Sequence, residues 1–440
     1  MEQHFHIAII GGGAAGLTAA ISALEAVPPP RVVIIEKNRE SGRKILATGN
    51  GRCNLSNVRC ARHKETLDFF SRLGILTRTD EDGRIYPYTE DAADVRDALT
   101  ERALILGAEF FCGREVESIS KIGIRTCLEA DIHREPVNGH DDGNRCEGES
   151  RAGGNRTVRN RTAVERTDGE FLIRCRKMTG TAGSTGPETF RAKKLILASG
   201  GKAGPRFGTT GTGAVLARGL GHTITRLAPA LTAVEVREPA ESLAGIRAKA
   251  EVALKYRDQE LFRERGEVQF TKYGVSGICI FNLSRFMVIP EGKSLKNGFD
   301  DYRIEIDFLP DVDDAEALLK ARREAGIEPA ALLRSLVKRR LAERIFARTG
   351  GAIPATAKEL KQFTLCPKGL KGWDFAQVTK GGVPTSEMDM DTMRSVIVPD
   401  LFFAGEIIDY DGPCGGYNLQ NAWETGMRAG RAAVAEVMKQ

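Results

Sequence analysis

Residues 6–17 read HIAIIGGGAAGL. Four apolar residues lead into Gly11, Gly13 and Gly16 in the spacing G-x-G-x-x-G, and a second apolar run at 32–35 ends in Glu36. Each position has a mechanical reason. Gly11 turns the chain sharply off a strand, Gly13 lets backbone approach a pyrophosphate, and Gly16 lets the next helix pack tightly on the strand. The free N–H groups of Ala14 and Ala15 and the positive end of the helix then face phosphate. Glu36 falls twenty residues beyond Gly16, where an acid that binds a ribose belongs. The stretch is a poor secretory signal or membrane span. MEQHFH carries no cationic region, three glycines interrupt the apolar run, and Glu25 lies near its end.

The chain's 440 residues leave room for about three domains. A hydrophobic fraction of 41% and a charged fraction of 28% describe an ordinary soluble protein. A net charge of +5 is small for this length, so no nucleic-acid partner is expected, and no apolar run is long enough for a membrane helix. The nine cysteines are scattered with no C-x-x-C, and the six histidines show no metal spacing. A cytoplasmic chain with reduced thiols and no metal is the expectation.

Along the chain, residues 1–228 read as an N-terminal nucleotide-binding part. It has helices near 62–73 and 91–106 and a strand over 108–119. Residues 129–168 lose their apolar content and read as a hairpin tip or flexible insertion. Arg151, Arg156, Arg159, Arg161 and Arg166 there are a weak case for an anionic partner. KKLILASGG then ends in Ser199, Gly200 and Gly201, a second strand-to-glycine turn. Residues 229–372 alternate in the β manner and turn helical from 315 to 362, where ALLRSLVKRRLAERIF reads as a helix with a basic face at Lys338, Arg339 and Arg340. Residues 373–440 return to a strand, LFFAGE, and close in a helix. That helix sets Leu419, Ala422, Trp423, Gly426, Gly430, Ala433 and Val437 on one face.

The opening turn alone does not separate NAD from FAD. The C-terminal segment does, because an apolar strand ending in Gly405-Glu406 is followed by Gly415-Gly416 and a helix. A helix N-terminus there would stabilise negative charge on a reduced flavin.

The chain resembles the HI0933-like family of flavoproteins, also described as BaiN-like NAD(P)/FAD-dependent oxidoreductases. The resemblance rests on IIGGGAAGL at 9–17, KILATGNGRCNLSN at 44–57, LASGG at 197–201 and GTTGTGAVLARGLGH at 208–222. It extends through TKGGVPTSEMDMDTMRS at 379–395 and LFFAGEIIDYDGPCGGYNLQNAWETG at 401–426. It implies an α/β fold: a Rossmann-like, glutathione-reductase-like FAD-binding domain split between the two chain ends, with an inserted β-barrel-like and helical domain over the flavin. By position, Gly11, Gly13, Ala14, Ala15, Gly16, Glu36 and Lys37 would hold the ADP half, with Val116 near adenine. Lys44, Gly51, Arg52, Cys53 and Asn54, with the Ser199–Gly201 turn, would line the pyrophosphate and ring. Gly405, Glu406, Gly416, Tyr417, Asn418 and Leu419 would hold the ribityl chain and isoalloxazine.

The implied activity is NAD(P)H-linked reduction of an activated C=C bond, as in 3-oxo-Δ4 steroid or bile-acid-like substrates. Tyr410, Asp411 and Tyr417 are the candidate proton donors. Oxidation of a small amine such as aminoacetone by O2 is the alternative within the family, and an RNA-associated flavoprotein or flavin scaffold is one of another class. Cys53 lacks a partner cysteine at redox spacing, so packing or flavin contact is its expected role. Oligomeric state is not encoded in any motif.

Overall fold

The computed structural model describes residues 3–122, 169–178, 188–289, 293 and 298–438. The segment 129–168, with the five arginines named above, lies outside the described residues, as do Cys127 and Cys146. Among the described residues no helix is long and apolar enough to cross a membrane.

The opening strand Gln3–Ile10 is the centre of a mainly parallel sheet. It pairs with Val32–Glu36 on one side and Glu188–Leu197 on the other. Leu401–Phe403 extends the sheet in parallel beyond Glu188–Leu197, and Glu109–Cys112 extends it beyond Val32–Glu36. Strands buried on both faces need continuous apolar runs, and IAII, VVII, LIL and LFF supply them. The chain order across the sheet reverses at the opening strand, the position at which open α/β sheets bind ligands beyond their carboxyl ends.

The helix Ala14–Leu24 covers one face and packs against the closing helix Tyr417–Val437. The contact is backbone-close. A Cβ at Gly426 would sit 2.5 Å from the Ala15 carbonyl oxygen, and one at Gly430 would sit 2.2 Å from that of Ala19. The closing helix also buries Trp423 fully. Its indole donates to Leu55 O at 3.0 Å and lies edge-on to Phe70 at 5.1 Å. The two ends of the chain thereby share one hydrophobic core.

A second sheet of seven antiparallel strands spans Val234 to Leu370. Its two edge strands, Phe363–Leu365 and Pro367–Leu370, are separated in sequence by Cys366 alone, so the sheet curls round a core of its own. Helices Ile278–Ser284, Ala315–Glu324, Arg339–Thr349 and Ile353–Lys361 pack on it. The antiparallel pair Ala228–Ala230 and Val378–Lys380 carries the chain into and out of this part.

Three local expectations change. The strand over 108–119 is two strands, Glu109–Cys112 and Arg114–Ile122, because Gly113 takes φ +70 and breaks the run. The helix through 331–346 begins only at Arg339. Ser335 has φ +67 and Lys338 is extended, so Leu332 and Leu333 are buried from a turn instead. Arg340 is spent on the Ser242 and Ala244 carbonyls. A small sheet of Ser56–Asn57, Thr77–Thr79 and Arg84–Pro87, not anticipated from sequence, backs the 44–57 loop.

Candidate functional site

The glycine turn leaves the opening strand as its spacing requires, and its three glycines do different work. Gly11 has φ +103, and a Cβ there would meet Ala198 O at 2.5 Å; one at Gly16 would meet Gly11 O at 1.9 Å. The fold itself needs both. A Cβ at Gly13 would meet nothing within 4 Å. Gly13 caps the helix Ala14–Leu24 with no side chain over its first N–H groups. The fold gives no reason for a glycine at 13, and a ligand seated against the helix end does.

Glu36 ends its strand buried, 8% exposed. Its Oε2 accepts from Gly12 N at 2.7 Å, and its Oε1 accepts from the backbone and side-chain nitrogens of Asn38 at 2.7 Å each. The carboxylate thus fixes the turn, and Oε2 keeps acceptor capacity for a hydroxyl. Lys37 pairs with Glu115 at 2.9 Å and donates to Thr210 at 3.1 Å. The Lys37 and Arg176 cations hold the Glu115 carboxyl below its usual range. Val116, next along and 5% exposed, is therefore held beside the end of the Glu36 strand.

The 44–57 loop, Thr379 and the Gly405 turn meet at one carboxylate. Lys44 Nζ lies 2.7 Å from Glu406 Oε2, and Thr379 N donates to Glu406 Oε1 at 2.8 Å. Gly201 sits against the same group, since a Cβ there would lie 2.3 Å from Thr379 Oγ1 and 3.0 Å from Glu406 Oε1. Thr379 Oγ1 also accepts from Lys202 N and Ala203 N, which fixes the turn after Gly200. Gly405 has φ +76 and is pinned by Thr425 Oγ1 at 2.9 Å.

At the closing helix, Gly416 is the cap at φ +99, and a Cβ there would collide with Ser56 O at 2.4 Å. With its amide nitrogen turned to Ser56 O, Asn54 accepts from Gly416 N at 3.1 Å. Asn418 holds the preceding loop, accepting from Gly412 N at 2.8 Å and donating to Gly412 O at 2.9 Å. Tyr417 and Leu419 share that first turn and are partly buried. Two buried polar atoms here have no partner among the described residues: Ser199 Oγ, and Nε2 of Gln420. The Gln420 Oε1 is taken by Ser56 Oγ at 2.7 Å.

Some site residues from the sequence point elsewhere. Arg52 stacks over Tyr86 at 4.8 Å and pairs with Glu90 at 3.5 Å. Cys53 is fully buried, and burial pushes its thiol up to about 12 against a weaker opposing bond from Thr48. Gly51 and Gly200 both take positive φ, at +88 and +72, with almost nothing near a Cβ. Of the three candidate acids, Asp411 is tied to Arg285, with Nε to Oδ2 at 2.9 Å. Burial raises the Tyr410 phenol, so it keeps its proton at neutral pH. Sequence reasoning missed Thr379, Gln420 and Arg285. The first opens a motif quoted above and was legible there, whereas Arg285 follows GVSGICIFNLS with no signature at all.

An open glycine at a helix N-terminus, an acid closing the turn, and a second helix N-terminus reached from the other chain end define a Rossmann-type dinucleotide-binding protein whose site draws on both chain ends. The sequence model of the HI0933-like protein Rossmann domain matches residues 5–66 and 157–432, and the chain belongs to that family of FAD-dependent oxidoreductases. It is 32% identical over 97% of its length to a 3-dehydro-bile acid delta(4,6)-reductase of Clostridium scindens, covering 98% of that protein. It is 26% identical over 98% of its length to a ribosomal RNA dihydrouridine synthase of Escherichia coli K12, covering 99% of it. Among solved structures, a 3-ketosteroid-delta4-(5alpha)-dehydrogenase from Rhodococcus jostii RHA1 aligns over 98% of this chain and 97% of that one, at 14% identity and a TM-score of 0.45.

The residues present fit FAD: a Cβ at Gly13 would meet nothing within 4 Å, Ser199 Oγ and Gln420 Nε2 are buried without a partner among the described residues, and the Lys44–Glu406 pair joins the two ends of the chain.

Proposed function

We propose that the protein reduces a C=C bond conjugated with a carbonyl, using FAD as cofactor and NAD(P)H as reductant. The observation that carries the reading is the full-length likeness to a delta(4,6)-reductase at 32% identity. The dihydrouridine synthase relative fits the same chemistry, because dihydrouridine is uridine with one conjugated ring C=C saturated.

Bound FAD would supply the hydride. Gly11, Gly13, Ala14, Ala15 and Gly16 would seat the pyrophosphate, and Glu36 and Lys37 the adenosine, with Val116 against the adenine. Lys44, Gly51, Asn54, Gly200, Gly201 and Glu406 would line the ribityl chain and ring. Behind the Gly416 cap, the free N–H groups at Tyr417, Asn418 and Leu419 would face the charge that reduction creates. Residues 229–372 would form the cover that sets substrate choice, between the two FAD-binding parts 1–228 and 373–440. Tyr410, with Tyr417 beside it, would give the proton that completes reduction.

The test is anaerobic. NADH or NADPH should bleach the flavin, and an enone should restore it with formation of the saturated ketone. Oxygen consumption on aminoacetone without NAD(P)H turnover would replace this reading with an amine oxidase. A second reading, reduction of uracil in RNA, is favoured by the synthase relative. Formation of dihydrouridine in RNA by the pure protein, lost on deleting residues 140–166, would support it; no RNA binding at physiological salt would end it.

A further inference from the structure

We infer that Arg285, set by Asp411, is the cation that receives the substrate's carbonyl oxygen. This rests on the proposed C=C reduction and assigns it a residue that the cover part contributes. Arg285 follows the helix Ile278–Ser284 on the second sheet, yet its guanidinium reaches the 409–416 loop ahead of the closing helix. Nε and Nη2 bind Asp411, through the carboxylate at 2.9 Å and through its backbone oxygen. Nη1 keeps no hydrogen bond among the described residues. The side chain is 19% exposed, so it is water-poor without being sealed.

Its surroundings favour an anion arriving at that free edge. Asp411 is the carboxylate in contact with it, and Lys380 Nζ donates to the Arg285 carbonyl at 2.7 Å. Tyr410 and Cys414 lie within electrostatic reach, and burial pushes both protonated, so neither competes for the guanidinium as an anion at neutral pH. Phe286 stacks on Phe262 at 5.1 Å, and the guanidinium lies 5.6 Å over the Phe286 ring. With Phe286 37% exposed, the Phe262–Phe286 pair forms an apolar shelf beside the cation. That shelf suits the carbon frame of a substrate whose polar end is the carbonyl.

The chemistry balances with a two-electron donor of the reduced-flavin class. Hydride adds to the β-carbon, the C=C π bond breaks, and its electron pair moves through the α-carbon to the carbonyl oxygen as an enolate. The enolate oxygen sits on Nη1. A proton then bonds to the α-carbon, with the Tyr410 hydroxyl as donor, and the carbonyl re-forms. Asp411 acts as a positioning residue: it spends two of the fork's three nitrogens and so aims the third.

Arg285→Ala, Arg285→Lys and Asp411→Asn should be prepared with FAD bound, and binding of para-nitrophenol, a stable enolate mimic, measured by its visible absorbance. The wild type should bind the phenolate form and lower the apparent pKa of the bound phenol. R285A should weaken phenolate binding roughly 10- to 100-fold. R285K should recover part of that, and D411N should weaken it less, all with flavin content unchanged. A folded, flavin-loaded R285A that binds the phenolate as tightly as wild type overturns the assignment alone. A wild type that neither binds phenolates nor reduces enones overturns the proposed function and the assignment together.

Discussion

Lys44 and Glu406 stand 362 residues apart in sequence and 2.7 Å apart in space. The pair ties the two ends of the chain together, and Thr379 N and Gly201 complete its surroundings. Lys44→Met should leave the fold intact and weaken FAD retention by roughly 10-fold or more, the scale of one hydrogen bond to a charged group. Equilibrium dialysis with flavin absorbance checks this. Undiminished retention would remove Lys44 from the site.

The glycines of the opening turn should separate by phenotype. Gly13→Val projects into open space, so the apoprotein should melt as wild type does while FAD binding is lost. Gly16→Val drives a side chain into Gly11 O and should prevent soluble folding. Thermal denaturation with and without added FAD tells the two apart. A stable, fully flavinated Gly13→Val protein would show that the open space is not the pyrophosphate seat.

Elsewhere, Asp400 binds two buried ammonium groups, Lys121 at 2.8 Å and Lys194 at 2.6 Å. Burial alone would raise its carboxyl, but the two lysines outweigh it and hold the carboxyl below its usual range. The Lys121 amine moves down too, because burial costs it more than a shared Asp400 returns. The carboxylate facing two cations is the better measure of the cluster. A depressed carboxyl contributes stability above its unfolded value of about 3.9, and loses it as pH falls through the folded value. Asp400→Asn should therefore cost about 3 kcal/mol at neutral pH, leaving the buried Lys121 without a carboxylate and Lys194 with Glu436 at 3.4 Å alone. The penalty should shrink as pH drops below about 4. Urea melts at several pH values check both; a variant as stable as wild type at pH 7 contradicts the account.

A redox role for Cys53 would need a reactive thiolate. Its thiol is fully buried and pushed up to about 12, and burial pushes Cys414 up to about 12 as well. Maleimide under native conditions should spare both cysteines. Cys53→Ala should keep flavin content, with only the stability loss of a small core cavity.

The parts of the fold that sequence exposed were those whose signal is local. The glycine turn, the buried strands and the small-residue face of the closing helix each carry their reason within a few residues. Glu36 was found by spacing, although its engagement with Gly12 and Asn38 was not, because hydrogen-bond partners across a turn leave no pattern. Arg285 and Thr379 act through pairings more than 25 residues long in sequence, from Arg285 to Asp411 and from Thr379 to Glu406. The same holds for the misread helix before Arg339. Its composition favours helix, and burial of Leu333 in the second core, with Leu332 buried beside it in sequence, overrides it.

The most direct test of the central claim separates the reductive chemistry from the choice of reductant. The FAD-loaded protein is reduced chemically without oxygen and mixed with a 3-oxo-Δ4 steroid or a simpler enone. The account expects the oxidised flavin spectrum to return, with one saturated ketone formed per flavin. A flavin that stays reduced before every conjugated enone tried, yet is promptly reoxidised by O2, would contradict it.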